Sequence, residues 1–324
     1  PTPDWYDFSA NSSTIPTTCF GASTALETGA PSATVFSDDF GAPKTWRASL
    51  GIQRNLTPLL SLSLNASYAR GVSQYGFRDL NFDASNTYTL LDENGRTIFV
   101  DPTQIVPETG ALNYTDSRID PAFAQVLEVR SDLESDTKQL QASLSGITRS
   151  GVILQTSYTW SRVRDQSSQA LFGGRGGMRM GGGGTRGGLG GTNTAGNPNI
   201  LEWGRSSYER QHSFLATINY PFGTSVELTA IGRLTSGAPY TPMVGGDING
   251  DGANNDRAFV FDPAAVSSPT LAASLEQLLA TTSGGARSCL ESQFGQIAGR
   301  NSCVGPWEGS LDLQLNIRPN IFGL

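Results

Sequence analysis

Apolar residues alternate with small polar ones along several stretches of this chain. The clearest is Leu60-Ser61-Leu62-Ser63-Leu64-Asn65-Ala66-Ser67-Tyr68, where the even positions are apolar and the odd ones small and polar. A period of two belongs to a β-strand with unlike faces. It returns at Leu140/Ala142/Leu144, Val152/Leu154/Thr156/Tyr158/Trp160, Phe214/Ala216/Ile218/Tyr220, Val226/Leu228/Ala230 and Leu311/Leu313/Leu315/Ile317, and more weakly at Trp46/Ala48/Leu50/Ile52. About seven strands are predicted, several of them long enough to cross a bilayer as tilted strands of about 9–11 residues.

Soluble β-sandwiches also alternate, but two features argue for a membrane. The polar face carries Ser, Thr, Asn, Gln and Arg rather than Lys and Glu, and the apolar face ends in the aromatics Tyr68, Tyr158, Trp160 and Tyr220. Amphipathic rings of this kind suit a membrane–water interface. The connections are also sorted by length. Asn55-Leu56-Thr57-Pro58, Arg149-Ser150 and Pro221-Phe222-Gly223 make three tight turns, whereas the segments 72–136, 164–207 and 237–307 run to about 65, 45 and 70 residues. Ordinary connections take ~4–6.

The predicted fold is therefore all-β: a segment of a transmembrane antiparallel β-barrel with short periplasmic turns and long extracellular loops. Asn55, Ser150 and Phe222 mark the periplasmic side, residues 1–44 read as the end of a preceding extracellular loop, and 45–324 hold the strands and later loops. Single-chain bacterial barrels close with an even number of strands, so an odd set of seven reads as part of a larger barrel.

Composition narrows the function. Only 16% of residues are charged, 37% are hydrophobic, and the net charge is -7, which excludes a basic nucleic-acid binder; no nucleic-acid partner is expected. The single histidine, His212, makes a Ser-His-Asp hydrolase a poor fit and reads as a rim or lumen residue. The carboxylate pairs Asp38-Asp39 and Asp92-Glu93 have no partner base in view, so no catalytic residue is assigned and no enzyme activity is expected.

Three loop features carry candidate chemistry. Cys289 and Cys303 flank a stretch that a disulfide would close, with a chain-entropy gain of ~3 kcal/mol for a loop of about 15 residues, while Cys19 is left without an evident partner. In Asp247-Ile248-Asn249-Gly250-Asp251-Gly252-Ala253, alternating oxygen ligands precede a turn glycine, as in the first half of a calcium loop. Asp247, Asn249 and Asp251 would bind Ca²⁺ through side chains and Ala253 through its carbonyl; Asp256 would close the shell, since the twelfth position is Ala258 rather than Glu. The competing reading is a metal-free Asx/Gly turn. Finally, 271–279 has helical spacing and is expected to pack on neighbouring loops, and the Gly/Arg-rich 172–191 reads as a flexible loop.

The run Asp247-Ile248-Asn249-Gly250-Asp251-Gly252 with Asn255-Asp256-Arg257, following Ser236-Gly237-Ala238-Pro239-Tyr240-Thr241-Pro242, resembles the Oar-like branch of the TonB-dependent outer-membrane receptors. So do Tyr208-Glu209-Arg210-Gln211-His212-Ser213-Phe214 leading into Tyr220-Pro221-Phe222-Gly223, and Arg300-Asn301-Ser302-Cys303 before Leu311-Asp312-Leu313; the likeness covers most of 137–324. The resemblance implies a barrel of about 22 strands with an N-terminal plug, energised through TonB. It implies that the long loops bind an extracellular ligand and that the barrel passes it inward, with outer-membrane lipid around the wall and TonB engaged through regions outside these residues. The alternatives are a barrel-anchored surface protein without active transport, and a secreted calcium-binding adhesin or hydrolase.

Overall fold

The computed structural model describes residues 10–11, 30–85, 87–105, 112, 114–166, 195–223 and 225–318. Cys19 and the glycine-rich stretch 172–191 lie outside the described residues. Seven strands follow one another across a single sheet: β1 (Lys44–Thr57), β2 (Leu60–Asp79), β3 (Val126–Ile147), β4 (Ile153–Asp165), β5 (His212–Phe222), β6 (Val226–Thr235) and β7 (Glu308–Ile317). Each pairs antiparallel with the next. The sheet holds nine strands in all, two more than the alternation predicts: Ala33–Phe36 runs parallel to β3, and Gly204–Arg205 pairs with β4. It is open, with β1 and β7 at its ends.

The register carries the sequence pattern across the whole sheet. Leu62, Leu144, Thr156, Ala216, Gly232 and Leu311 pair strand to strand in one row, and Leu64, Ala142, Tyr158, Phe214 and Leu234 in the next. Between them runs a row of the opposite parity, Gln53, Ser63, Ser143, Ser157, Leu215, Arg233 and Ser310, mostly polar. Side chains of opposite parity leave a strand on opposite sides, so one face of the sheet is apolar and the other polar. The apolar face has no protein cover: Leu311 is 68% exposed and Leu50 71%. A soluble sheet buries such a face. No helix among the described residues is long and apolar enough to cross a membrane.

The strands outrun the predicted boundaries. The loop predicted at 72–136 shrinks to residues 80–125, because β2 and β3 keep pairing through Phe77↔Val129, Arg78↔Glu128 and Asp79↔Leu127. Two register shifts, between Gly71 and Gln74 and between Gln74 and Gly76, interrupt the alternation there, and Ser73 takes a positive φ of 56°. The turns also shift. Asn55 lies in β1 and Phe222 in β5, and the connections are Pro58-Leu59, residues 148–152, longer than the expected Arg149-Ser150, and residues 223–225. Residues 1–44 are not loop throughout, since Ala33–Phe36 is a strand.

The buried core sits outside the two-faced part of the sheet. Ile98, Phe99, Val100, Leu127, Val129 and Leu133, in the long 80–125 connection or the strand segments next to it, are buried, and Ala298 and Cys303 add buried apolar side chains from the third long connection. The tight turns close the opposite end of the sheet.

Candidate functional site

The three long connections meet at one end of the sheet and form a cap that buried polar groups hold together. Asp79, the last residue of β2, is 7% exposed and accepts hydrogen bonds from the backbone N–H groups of Asn81 and Val126, at 3.0 and 3.1 Å. Its second oxygen takes Arg118 Nη1 at 2.6 Å. Arg118 also donates to the Asp251 carbonyl and lies over the Tyr114 ring, 5.3 Å from its centroid. One guanidinium therefore ties the first long connection to both the sheet and the third long connection.

A second buried arginine repeats the device. Arg96 is ion-paired with Glu93, donates to the Arg257 carbonyl at 2.7 Å, and approaches Asp256 Oδ1 at 3.6 Å. Arg257 in turn is paired with Glu202, which brings in the second connection. Arg300 donates to Asp165 Oδ1 at 2.7 Å, fixing the end of β4, and Asn301 Nδ2 donates to the Arg205 carbonyl at 2.7 Å. A planar guanidinium serves several acceptors at fixed angles, which suits such braces better than an ammonium would. These arginines are the functional scaffold that sequence reading missed, because their partners lie as far as 161 residues away.

The Asp247–Asp256 loop lies inside this braced region. Asp247 accepts from Gly250 N at 2.6 Å and Gly252 N at 2.8 Å, Asn249 from Asp251 N at 2.9 Å, and Asp251 from Ala253 N at 2.8 Å. Asp256 accepts from Ile248 N at 2.7 Å and Asn249 N at 3.2 Å. Among the described residues no three His, Cys, Asp or Glu side chains converge so as to hold a metal ion. Each of the four expected side-chain ligands thus accepts from N–H groups of its own loop, while Asp256 Oδ1 accepts no hydrogen bond and faces Arg96 Nη1 at 3.6 Å. Gly250 and Gly252 hold positive φ of 77° and 81°, and a Cβ on either would strike Val100 or Arg118.

Burial has an electrostatic consequence here. Desolvation, and then the charges of Asp247 and Asp256, push the Asp251 carboxyl up to about 8 from the ordinary 3.8. Desolvation raises Asp256 to about 6 against the pull of its backbone hydrogen bonds, and raises Asp247 as well.

The expected disulfide is formed: Cys289 and Cys303 are bonded with their Cα atoms 5.6 Å apart, joining the helix α2 (Gly284–Glu291) to a short strand at Cys303–Val304. The helix α1 (Pro269–Thr281) covers the predicted 271–279, started by Ser268, whose Oγ accepts from Leu271 N at 3.4 Å. None of its residues is fully buried; Ala272, Leu275 and Leu279, on one face, are half-buried and the rest are exposed.

The interface aromatics fall in two groups on the apolar face. Tyr220 packs on Phe222 at 4.5 Å beside the tight turn. Toward the cap, Tyr158 packs on Phe214 at 4.6 Å and hydrogen-bonds His212 Nδ1 at 2.8 Å, while Trp160 pairs with His212 across the strands and Tyr68 is 42% exposed. His212 is thus a rim residue, the first of β5, held between Tyr158 and Trp307 on the apolar side rather than facing a lumen. Beyond this level the same face turns charged, with Arg70, Lys138, Arg162 and Arg164.

No curated protein matches the sequence. Among solved structures, the outer membrane transporter YddB from Escherichia coli aligns with a TM-score of 0.37 and 9% identity over 68% of this chain. The chain spans 24% of that transporter's length. The family model described as the outer membrane beta barrel domain matches residues 2–318, and the chain belongs to that family.

Proposed function

We propose that this outer-membrane barrel domain is part of the wall and outer surface of a larger, TonB-energised receptor, of about 22 strands. In this reading the long connections face the cell exterior and capture a ligand, and the polar face of the sheet lines the route by which it passes. The observation that carries the reading is the split within one chain: an uncovered apolar face across seven strands, and at one end a cap braced by buried ion pairs. The open edges at β1 and β7 support the larger barrel, because unpaired backbone N–H and C=O groups are not tolerated in lipid.

The test is made on the native polypeptide extracted from outer membranes, by intact mass together with photo-cross-linking to TonB in cells. A mass well above the 34.3 kDa of these residues and an energy-dependent TonB cross-link are expected. A polypeptide near 34.3 kDa without a cross-link would overturn the reading in favour of a surface anchor.

A further inference from the structure

The cap contains a cavity of about 870 Å³ between the first and third long connections. One wall is the tip of the hairpin formed by Tyr88–Leu90 and Arg96–Ile98, which presents Leu90 and Leu91. The opposite wall is Phe259 and Phe261, set edge to face at 4.7 Å and 70°, with Val266 ahead of α1 and Leu271 in its first turn. Leu91 is 86% exposed although it stands in the cap, away from the apolar rows of the wall. With Leu90, Phe259, Phe261, Val266 and Leu271 it forms one contiguous apolar lining, the kind of surface that marks a ligand site.

The polar part of the lining has one sign. Asp92, Glu93 and Asp262 line the cavity, and no lysine or arginine among the described residues does. Glu93 is engaged by Arg96 behind the wall, so Asp92 and Asp262 are the carboxylates left to meet an occupant. The N-terminus of α1 contributes an opposing partial charge of about half a unit. That is too small to offset two carboxylates, and Ser268 already caps it.

We infer that this cavity binds an organic cation with an apolar or aromatic body, the body seated against the Phe259–Phe261 pair and the two leucines, the ammonium or guanidinium directed to Asp92 and Asp262. The aromatic faces add to the attraction for a cation beside them, and the one-signed lining excludes the matching anion. This rests on the reading of the cap as a ligand-capturing surface and names the class of ligand.

The experiment uses the full-length protein in lipid nanodiscs, titrated calorimetrically with tryptamine and, as the matched anion, indole-3-acetate. Tryptamine is expected to bind and indole-3-acetate to fail. The Asp92→Asn/Asp262→Asn variant is expected to lose tryptamine affinity by at least about tenfold, since charged hydrogen bonds are lost. Asp262 also accepts from Ala264 N at 2.9 Å. Asp92→Asn alone, on an exposed turn, therefore serves as the variant whose fold is not at stake, with a smaller loss in the same direction. Equal tryptamine binding by wild type and both variants, or equal binding of the anion, overturns the inference. Energised uptake that survives loss of this binding would sink the cavity and leave the transport reading standing. Cavity binding with no TonB-dependent uptake would do the reverse.

Discussion

The wall and the cap solve the problem of burial in opposite ways. In the wall, large apolar side chains such as Leu311, Leu313 and Leu50 stay exposed, and what is satisfied is the backbone, row by row, through the strand ladder. In the cap, the fully enclosed side chains include Arg96, Asn249, Asp251 and Asp256 alongside Ile98 and Val100. The wall relies on an outside medium that tolerates hydrocarbon and cannot hydrogen-bond. The cap faces no such medium and closes on itself through charge pairs and a disulfide. Stability of the first is set by the membrane, and stability of the second by the loops' own chemistry.

The comparison breaks most readily along the pH axis. In the folded cap Asp251 keeps its proton up to about 8 and Asp256 to about 6, whereas both release it near 3.8 once exposed. A folded-state affinity for protons above the unfolded one stabilises fully below pH 3.8, and the benefit is lost as pH rises towards 8. Each tenfold difference in proton affinity is worth about 1.4 kcal/mol, so this is the largest effect expected of any single group. Cap opening, followed by amide hydrogen exchange in EGTA, should become easier from pH 4 to 8 while the wall's exchange does not follow it. Asp251→Asn should flatten that slope. Calcium at pH 8 decides between the two readings of the loop: protection of the cap by calcium would support a metal site at Asp247, Asn249, Asp251 and Asp256, and no change would support a metal-free Asx/Gly turn. Next in size, Arg118→Ala removes one partner of a buried pair with Asp79 and should cost about 3–5 kcal/mol locally. Faster exchange at Ser117 and Ile119 with unchanged exchange at Leu140 to Leu144 is the expected signature, and a uniform acceleration would show that wall and cap are one unit.

What was legible in the sequence divides along the same line. The wall could be read because its rule is local: Leu60 to Tyr68 states the period of two within nine residues. The reading stopped at Gly71-Val72-Ser73, where register shifts scramble the alternation although the ladder continues to Asp79. In the cap, Cys289–Cys303, the 271–279 helix and the run of acids at 247–256 were visible, since each is a short-range pattern. Arg96, Arg118 and Arg300 were not, because their roles exist only through carbonyls and carboxylates in other connections. The cavity was invisible for the same reason: Leu91 and Phe259 share no pattern, only a place.

The wall offers the smaller effect and the sharper contrast. Leu144 and Ser143 are neighbours in β3, and the pleat sends them to opposite faces, Leu144 into the row with Leu62 and Thr156, Ser143 into the row with Ser63 and Ser157. An arginine at a lipid-facing position near mid-height costs about 2–4 kcal/mol, and one on the lumen side much less. Leu144→Arg should therefore lower the folding stability of the full-length barrel in lipid by about that amount, while Ser143→Arg stays near zero. Both changes add the same charge to adjacent residues, and the larger gain in volume falls on Ser143, so a greater cost at Leu144 reports the medium on its side of the sheet. If the two variants were equally destabilised, the apolar face would be packed on protein rather than lipid, and the contrast between a lipid-supported wall and a self-supported cap would fall with it.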